Sequence, residues 1–181
     1  MAKDNNKTQL SGGHDGYAVI LQCAVAAIEH ARTEMARHVN GYVSTAYWEI
    51  GQMLHERKIE SGYGDSVVKR LSTDLKERYP KMGVSPRNLW DMKKFYERFC
   101  HSDIKVRQAV ALLPWGHILR LLQRVGDDDA AMLFYAQETA AKGWNRDLLL
   151  NAIKLNMYET RALARVDNNF DRTLPAEQAC T

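Results

Sequence analysis

From Leu21 to Leu54 the chain places an apolar residue every three or four positions: Leu21, Val25, Ile28, Met35, Val39, Tyr42, Ala46, Ile50 and Leu54. After one weak turn between Ile28 and Met35, these intervals keep the side chains on one side of an α-helix. The spacing predicts a helix from near Tyr17 to Arg57, although Gly41 and Gly51 each cost it roughly 1 kcal/mol relative to alanine. At about 1.5 Å per residue, a helix of about 40 residues spans roughly 60 Å, wider than a compact domain of this size. Its apolar side therefore has to be covered by later helices or by a second copy of the chain. The second solution predicts a two-fold homodimer through Ile28, Met35, Val39, Tyr42 and Ala46.

Helical periodicity continues beyond this stripe, and no run of alternating β-branched residues suggests a strand. The expected class is all-α: a long N-terminal helix followed by a bundle of shorter ones. "SGYGDS" breaks the chain, with Asp65 or Ser66 as the expected N-cap of a helix over 67–79. On that helix Val68, Leu71, Leu75 and Tyr79 share a face opposite Lys69, Thr73 and Lys76. Pro80 and Gly83 end it; Ser85 then caps a helix with Pro86 at its first position, where the missing N–H does no harm. Over 86–99, Leu89, Met92, Phe95, Tyr96 and Phe99 form a core face, while Arg87, Trp90, Asp91, Lys94 and Arg98 form the presented face, with Lys93 at its border. Further helices are expected over 116–125, from "GDDD" to about Lys142, and through "RDLLLNAIKLNMYETRALAR" after a stop at Gly143 and a cap at Asn145.

The charge is uneven. Residues 67–107 hold eleven Lys or Arg against five acids, a surplus of +6 in a chain whose formal charge is +3. An apolar helix, a turn containing Gly83 and a second helix with a basic outer face make a helix-turn-helix-like unit. Such a unit lays its second helix in the DNA major groove while neighbouring residues grip phosphates. Arg87, in the first turn, is placed to touch bases. Asn88 has the chemistry for a bidentate contact to adenine, although helical geometry sets it near the buried face. Lys93, Lys94 and Arg98 suit phosphate contacts, and Lys69 and Lys76 join the set that would bind double-stranded DNA. The turn from Pro80 to Ser85 is longer than in the tight version of the motif.

Catalytic chemistry is sparse. Cys100 and His101 are adjacent, a spacing that rarely makes a nucleophile pair, and the six histidines show no zinc-type spacing with Cys23, Cys100 and Cys180. The glycines of "SGYGDS" lack the Lys-Ser/Thr of a phosphate loop, and Asp127, Asp128 and Asp129 read as helix-start acids. No metal or cofactor is expected. Three distant cysteines argue against a disulfide framework and suit a reducing cytoplasm, and no apolar stretch is long enough for a membrane span.

Several phrases taken together resemble the N-terminal domain of YhcG-like bacterial proteins, a family of unknown function: "YWEIGQML", "GYGDSVVKRLSTDLKERYPKMGVSPRNLWDMKKFYERF", "LLPWGHILRLL", "FYAQETAAKGWNRDLL" and "NNFDRTLPAEQA". The resemblance runs from about Tyr17 to Ala179, with Tyr63 where relatives often carry Trp. It implies a helical domain that binds nucleic acid or mediates assembly, followed in the family by a nuclease-like domain of the PD-(D/E)XK type beyond the junction at Asn169–Gln178. The organisation expected is therefore a disordered lead-in over 1–16, the helical domain over 17–166, and a linker over 167–181 toward a nuclease-like domain or partner absent from this chain. Two functions follow: a non-catalytic DNA-binding or targeting module, or a dimerisation module that does not touch nucleic acid. A weaker third is that the chain is itself an enzyme.

Overall fold

The computed structural model describes residues 12–60, 62 and 64–161, with side chains from Tyr17 onward. Among these residues every regular element is a helix: α1 (Gly12–Glu56), α2 (Asp65–Arg78), α3 (Pro86–Phe99), α4 (Ile104–Ala111), α5 (Trp115–Arg124), α6 (Asp129–Lys142) and α7 (Arg146–Lys154), with a last helical turn at 157–161. No described helix is long and apolar enough to cross a membrane. The expected linker, Tyr63 and Cys180 lie outside the described residues.

Local chemistry explains most boundaries. The Ser85 hydroxyl accepts from Asn88 N–H across 3.2 Å, with Pro86 at the first helical position. Asp128 accepts from Ala130 and Ala131, and Asn145 from Asp147 and Leu148. Gly143 ends α6 at φ 61°, a left-handed conformation that costs glycine little. Four expectations need correction. α1 already includes Gly12–Gly16, ahead of Tyr17 and within the expected lead-in, whereas its unbroken course through Gly41 and Gly51 is as the spacing predicts. Gly64 stands at the N-cap of α2 with no side-chain cap, so neither Asp65 nor Ser66 fills that role. α4, unexpected from periodicity, is started by Asp103, which accepts from Lys105 N–H at 2.7 Å. The last helix does not continue through the tail of the domain: α7 stops at Lys154 because Asn156 takes φ 48°, a conformation asparagine tolerates.

The chain divides into two units at Asn40. In the first, as far as Val39, α1 carries Leu21, Val25, Ile28, Met35 and Val39 in exposed positions. Its exposed surface also holds Arg32 and Glu29, paired at 3.3 Å.

The second unit is the packed bundle. Tyr47, Leu54, Val68, Leu89 and Met92 form one buried cluster; Phe95, Phe99, Val110, Ile118, Leu121, Met132 and Leu149 belong to another. α3 contributes to both: of its expected core face Leu89, Met92, Phe95 and Phe99 are buried, and Tyr96 is half-buried. Within this unit the buried side of α1 is Ser44, Tyr47, Gly51 and Leu54. The apolar stripe read from sequence therefore lies about 100° away over most of this part, one residue's rotation on a helix. Tyr42 is 77% exposed, and Ala46 and Ile50 are half-buried. A Cβ on Gly51 would stand 2.2 Å from the Met92 carbonyl oxygen, so α1 and α3 cross there in direct backbone contact. Two of its four residues, Ser44 and Gly51, are small and carry no hydrophobic signal.

Candidate nucleic-acid interface

The outer side of α3 is less basic than its sequence. Lys93 belongs to the core: its side chain is 7% exposed, with Nζ 3.0 Å from Glu60 Oε1 and 3.3 Å from Glu97 Oε1. Burial alone would pull its ammonium pKa down; the hydrogen bonds and charges of the two glutamates outweigh that and raise it. Glu97 also meets His55 Nδ1 at 3.0 Å.

Arg98 is similarly committed. Its side chain is 13% exposed, Nη2 lies 2.8 Å from Asp129 Oδ1, and Nε donates to the Gly126 carbonyl at 2.8 Å. Nη1 donates to Ser102 at 2.9 Å. The guanidinium thus ties the end of α3 to the α5–α6 loop. Asn88 is occupied too: its Nδ2 donates to the Gly83 carbonyl, and its Oδ1 accepts from Trp115 Nε1. These three side chains have partners inside the molecule, whereas Arg87 and Lys94 stand exposed on α3.

Two clefts run along this helix. The larger, about 830 Å³, is lined by Arg87, Lys93, Lys94 and Arg98 but also by Glu60, Asp91, Glu97 and Asp127. Four cations against four carboxylates leave it formally neutral. The smaller, about 260 Å³, lies where α3, α5 and α7 meet. Arg87, Arg120 and Arg146 line it, with Asp91 as its one carboxylate. Arg120 Nη1 is 3.4 Å from Gln123 Oε1, and the Arg146 stem crosses Gly116, where a Cβ would stand 3.2 Å from Arg146 Cδ. Nearby, His117 is held below its ordinary pKa, first by burial and then by the Arg146 charge, against the opposing pull of its hydrogen bond to the Trp144 carbonyl.

The fold therefore brings Arg87 together with two arginines that a charge count over 67–107 passes by. Arg120 and Arg146 come from different helices, and only packing joins them. The single local hint is Gly116, small enough for an arginine stem to pass. Lys69 and Lys76 are exposed on α2 and line neither cleft. Among the dimerisation candidates, Ile28, Met35, Val39 and Tyr42 are exposed, whereas Ala46 lines a cleft with Leu75, Tyr79 and Val84 of its own unit. Among the described residues, no group of three or more His, Cys, Asp or Glu is placed to hold a metal.

Comparison with known proteins gives the context. The family model described as the DUF1016 N-terminal domain matches residues 24–160. The Escherichia coli (strain K12) protein named "Putative nuclease YhcG" is 31% identical over an alignment covering 82% of this chain and 48% of that protein. The chain thus spans about half the length of this curated relative. No solved structure matches it. With the family model covering most of the chain, and with every regular element among the described residues a helix as that resemblance implies, the chain belongs to the DUF1016 N-terminal domain family, the N-terminal domain of YhcG-like proteins.

Proposed function

We propose that this domain binds double-stranded DNA and directs a nuclease-like protein to it without cutting the DNA itself. The observation that carries the reading is the convergence of Arg87, Arg120 and Arg146 on one cleft beside the single carboxylate of Asp91. Guanidinium groups suit phosphate oxygens because their planar donors match them in pairs. Lys94 extends the set along α3, and Lys69 and Lys76 add flanking charge from α2, in a helix-turn-helix-like arrangement of α2 and α3. Asn88, Lys93 and Arg98 leave the contact set because binding DNA would first break their internal bonds. The relative's name, a nuclease, supports nucleic acid as the target class.

Fluorescence anisotropy with a short labelled duplex over a salt series tests this. Log affinity should fall with log salt, and Arg120→Ala with Arg146→Ala should reduce the slope by about 2, close to one unit per lost phosphate contact. Wild-type affinity that ignores salt sinks the proposal. The same preparation should leave supercoiled plasmid intact with magnesium or manganese, since hydrolysis of this kind needs carboxylates gathered around a metal. Nicking that followed the protein through repurification would overturn that part.

The exposed apolar side of α1 favours a second reading, self-assembly. Ile28, Met35 and Val39 are 58%, 64% and 55% exposed, and contiguous apolar surface of this kind marks protein contacts.

A further inference from the structure

Resting on the self-assembly reading, we propose that α1 pairs with α1 of a second copy in an antiparallel sense, with its two-fold axis beside residue 30. Between Leu21 and Val39 the exposed residues Leu21, Val25, Ile28, Arg32, Met35 and Val39 follow one another at intervals of four, three, four, three and four. That is an unbroken coiled-coil seam with Leu21, Ile28 and Met35 at d positions and Val25, Arg32 and Val39 at a positions. The six positions are symmetric about residue 30. Run antiparallel, Leu21 meets Val39 of the second copy, Val25 meets Met35, and Ile28 meets Arg32, leaving no seam residue without a partner over about 27 Å of helix.

Charge chooses the orientation. A parallel, in-register pair sets Arg32 directly against the second Arg32, burying two like charges at one layer. In the antiparallel pair each Arg32 lies opposite Ile28 and beside Glu29 of the other chain. In the single chain Arg32 Nη1 is already 3.3 Å from its own Glu29 Oε1. Across the axis the two arginines and two glutamates form a neutral cluster of four. Ala24 and Ala31, flanking the seam, let the helices approach closely.

The test uses the full chain. Light scattering at micromolar concentration should report twice the 20.7 kDa chain mass, and Ile28→Asp should return it to 20.7 kDa with unchanged circular dichroism, because Ile28 is exposed in the single chain. For orientation, Val25→Cys and Met35→Cys are made separately in a Cys23→Ser, Cys100→Ser, Cys180→Ser background and treated with a short bis-maleimide. The mixture should cross-link, and each variant alone should not, since the two copies of residue 25 stand about 15 Å apart along the antiparallel pair. A monomer at every concentration, or a dimer that survives Ile28→Asp, overturns the self-assembly reading through this seam. A dimer in which Val25→Cys alone cross-links keeps that reading and overturns the antiparallel arrangement.

Discussion

Trp115 Nε1 donates to Asn88 Oδ1 across 2.8 Å, while Asn88 Nδ2 donates to the Gly83 carbonyl. One amide thus joins the turn before α3 to the first residue of α5. The indole stands edge-on to Tyr47 at 4.8 Å and to Phe95 at 5.5 Å, and the Tyr47 hydroxyl in turn hydrogen-bonds the Gly83 backbone. A residue with the chemistry to read adenine is here a strut between helices.

Asn88→Ala should therefore lower stability by about 1–3 kcal/mol, since it leaves the indole N–H and the Gly83 carbonyl without partners. Arg87→Ala, next to it but exposed, should move stability by no more than about 0.5 kcal/mol. Urea titrations of both variants check the contrast. Equal effects would mean that the Asn88 bonds contribute nothing.

The two glycines of α1 in the packed unit should respond in opposite directions to alanine. At Gly41 a Cβ meets only Leu112 Cδ2, at 4.0 Å, so Gly41→Ala should gain about 0.5–1 kcal/mol from helix propensity. At Gly51 the new carbon would strike the Met92 carbonyl oxygen at 2.2 Å. Backbone cannot rotate aside, so Gly51→Ala should destabilise by about 1–3 kcal/mol or more, outweighing the same propensity gain. Thermal melting points shifted in the same direction would sink the α1–α3 crossing.

These glycines also show where sequence reading stops. Ser85, Pro86, Asp128, Gly143 and Asn145 mark boundaries because a cap is local: its donor and acceptor lie no more than five residues apart. The buried face of α3 was legible because large apolar residues define it. The buried face of α1 was not, since Ser44 and Gly51 face the core for their small size while Tyr42 and Met53 stand exposed. α4 escaped because eight residues with Val106 and Val110 buried make too short a pattern. At the proposed interface Arg87 was legible from its place in the first turn of α3; Arg120 and Arg146 become its neighbours only through tertiary packing.

Acid should loosen the bundle. Burial would raise the carboxyl of Glu97, but hydrogen bonds and charge from His55 and Lys93 hold it below its ordinary range. Asp129 is lowered in the same way, with Arg98 and Ser102 overcoming its burial. For Glu138 the Lys142 hydrogen bond is the largest influence, with Arg161 adding to it against a smaller burial effect. In each case the folded form binds fewer protons than the unfolded one, so the stability is present above the unfolded carboxyl pKa and drains as pH falls through the lower folded value. The urea midpoint should ease slightly below about pH 6.5, where unfolding lets the buried His117 take up a proton, and fall more steeply below about 4.5 as these carboxylates protonate. A midpoint that rises over that lower range contradicts these assignments.

The Lys93 cluster should be lopsided. Lys93 is buried, whereas Glu60 is largely exposed, so removing the two sides is not equivalent. Lys93→Met replaces a buried charge with an apolar chain of similar length and should cost less than about 1 kcal/mol, or even stabilise. Glu60→Ala with Glu97→Ala strands the ammonium and should cost more, up to about 3 kcal/mol after allowing for water around the glutamates. Chemical denaturation ranks the two, and the reverse order would refute this account.

Because α3 supplies Leu89 and Met92 to one buried cluster and Phe95 and Phe99 to the other, neither cluster can open while the other stays whole. A helix shared in this way makes the bundle unfold as one cooperative body, with no half-folded state that keeps a single cluster. Its backbone amides should then be the last to exchange with deuterated solvent, at a rate set by global opening, while those at the ends of α2 and α7 exchange through cheaper local excursions.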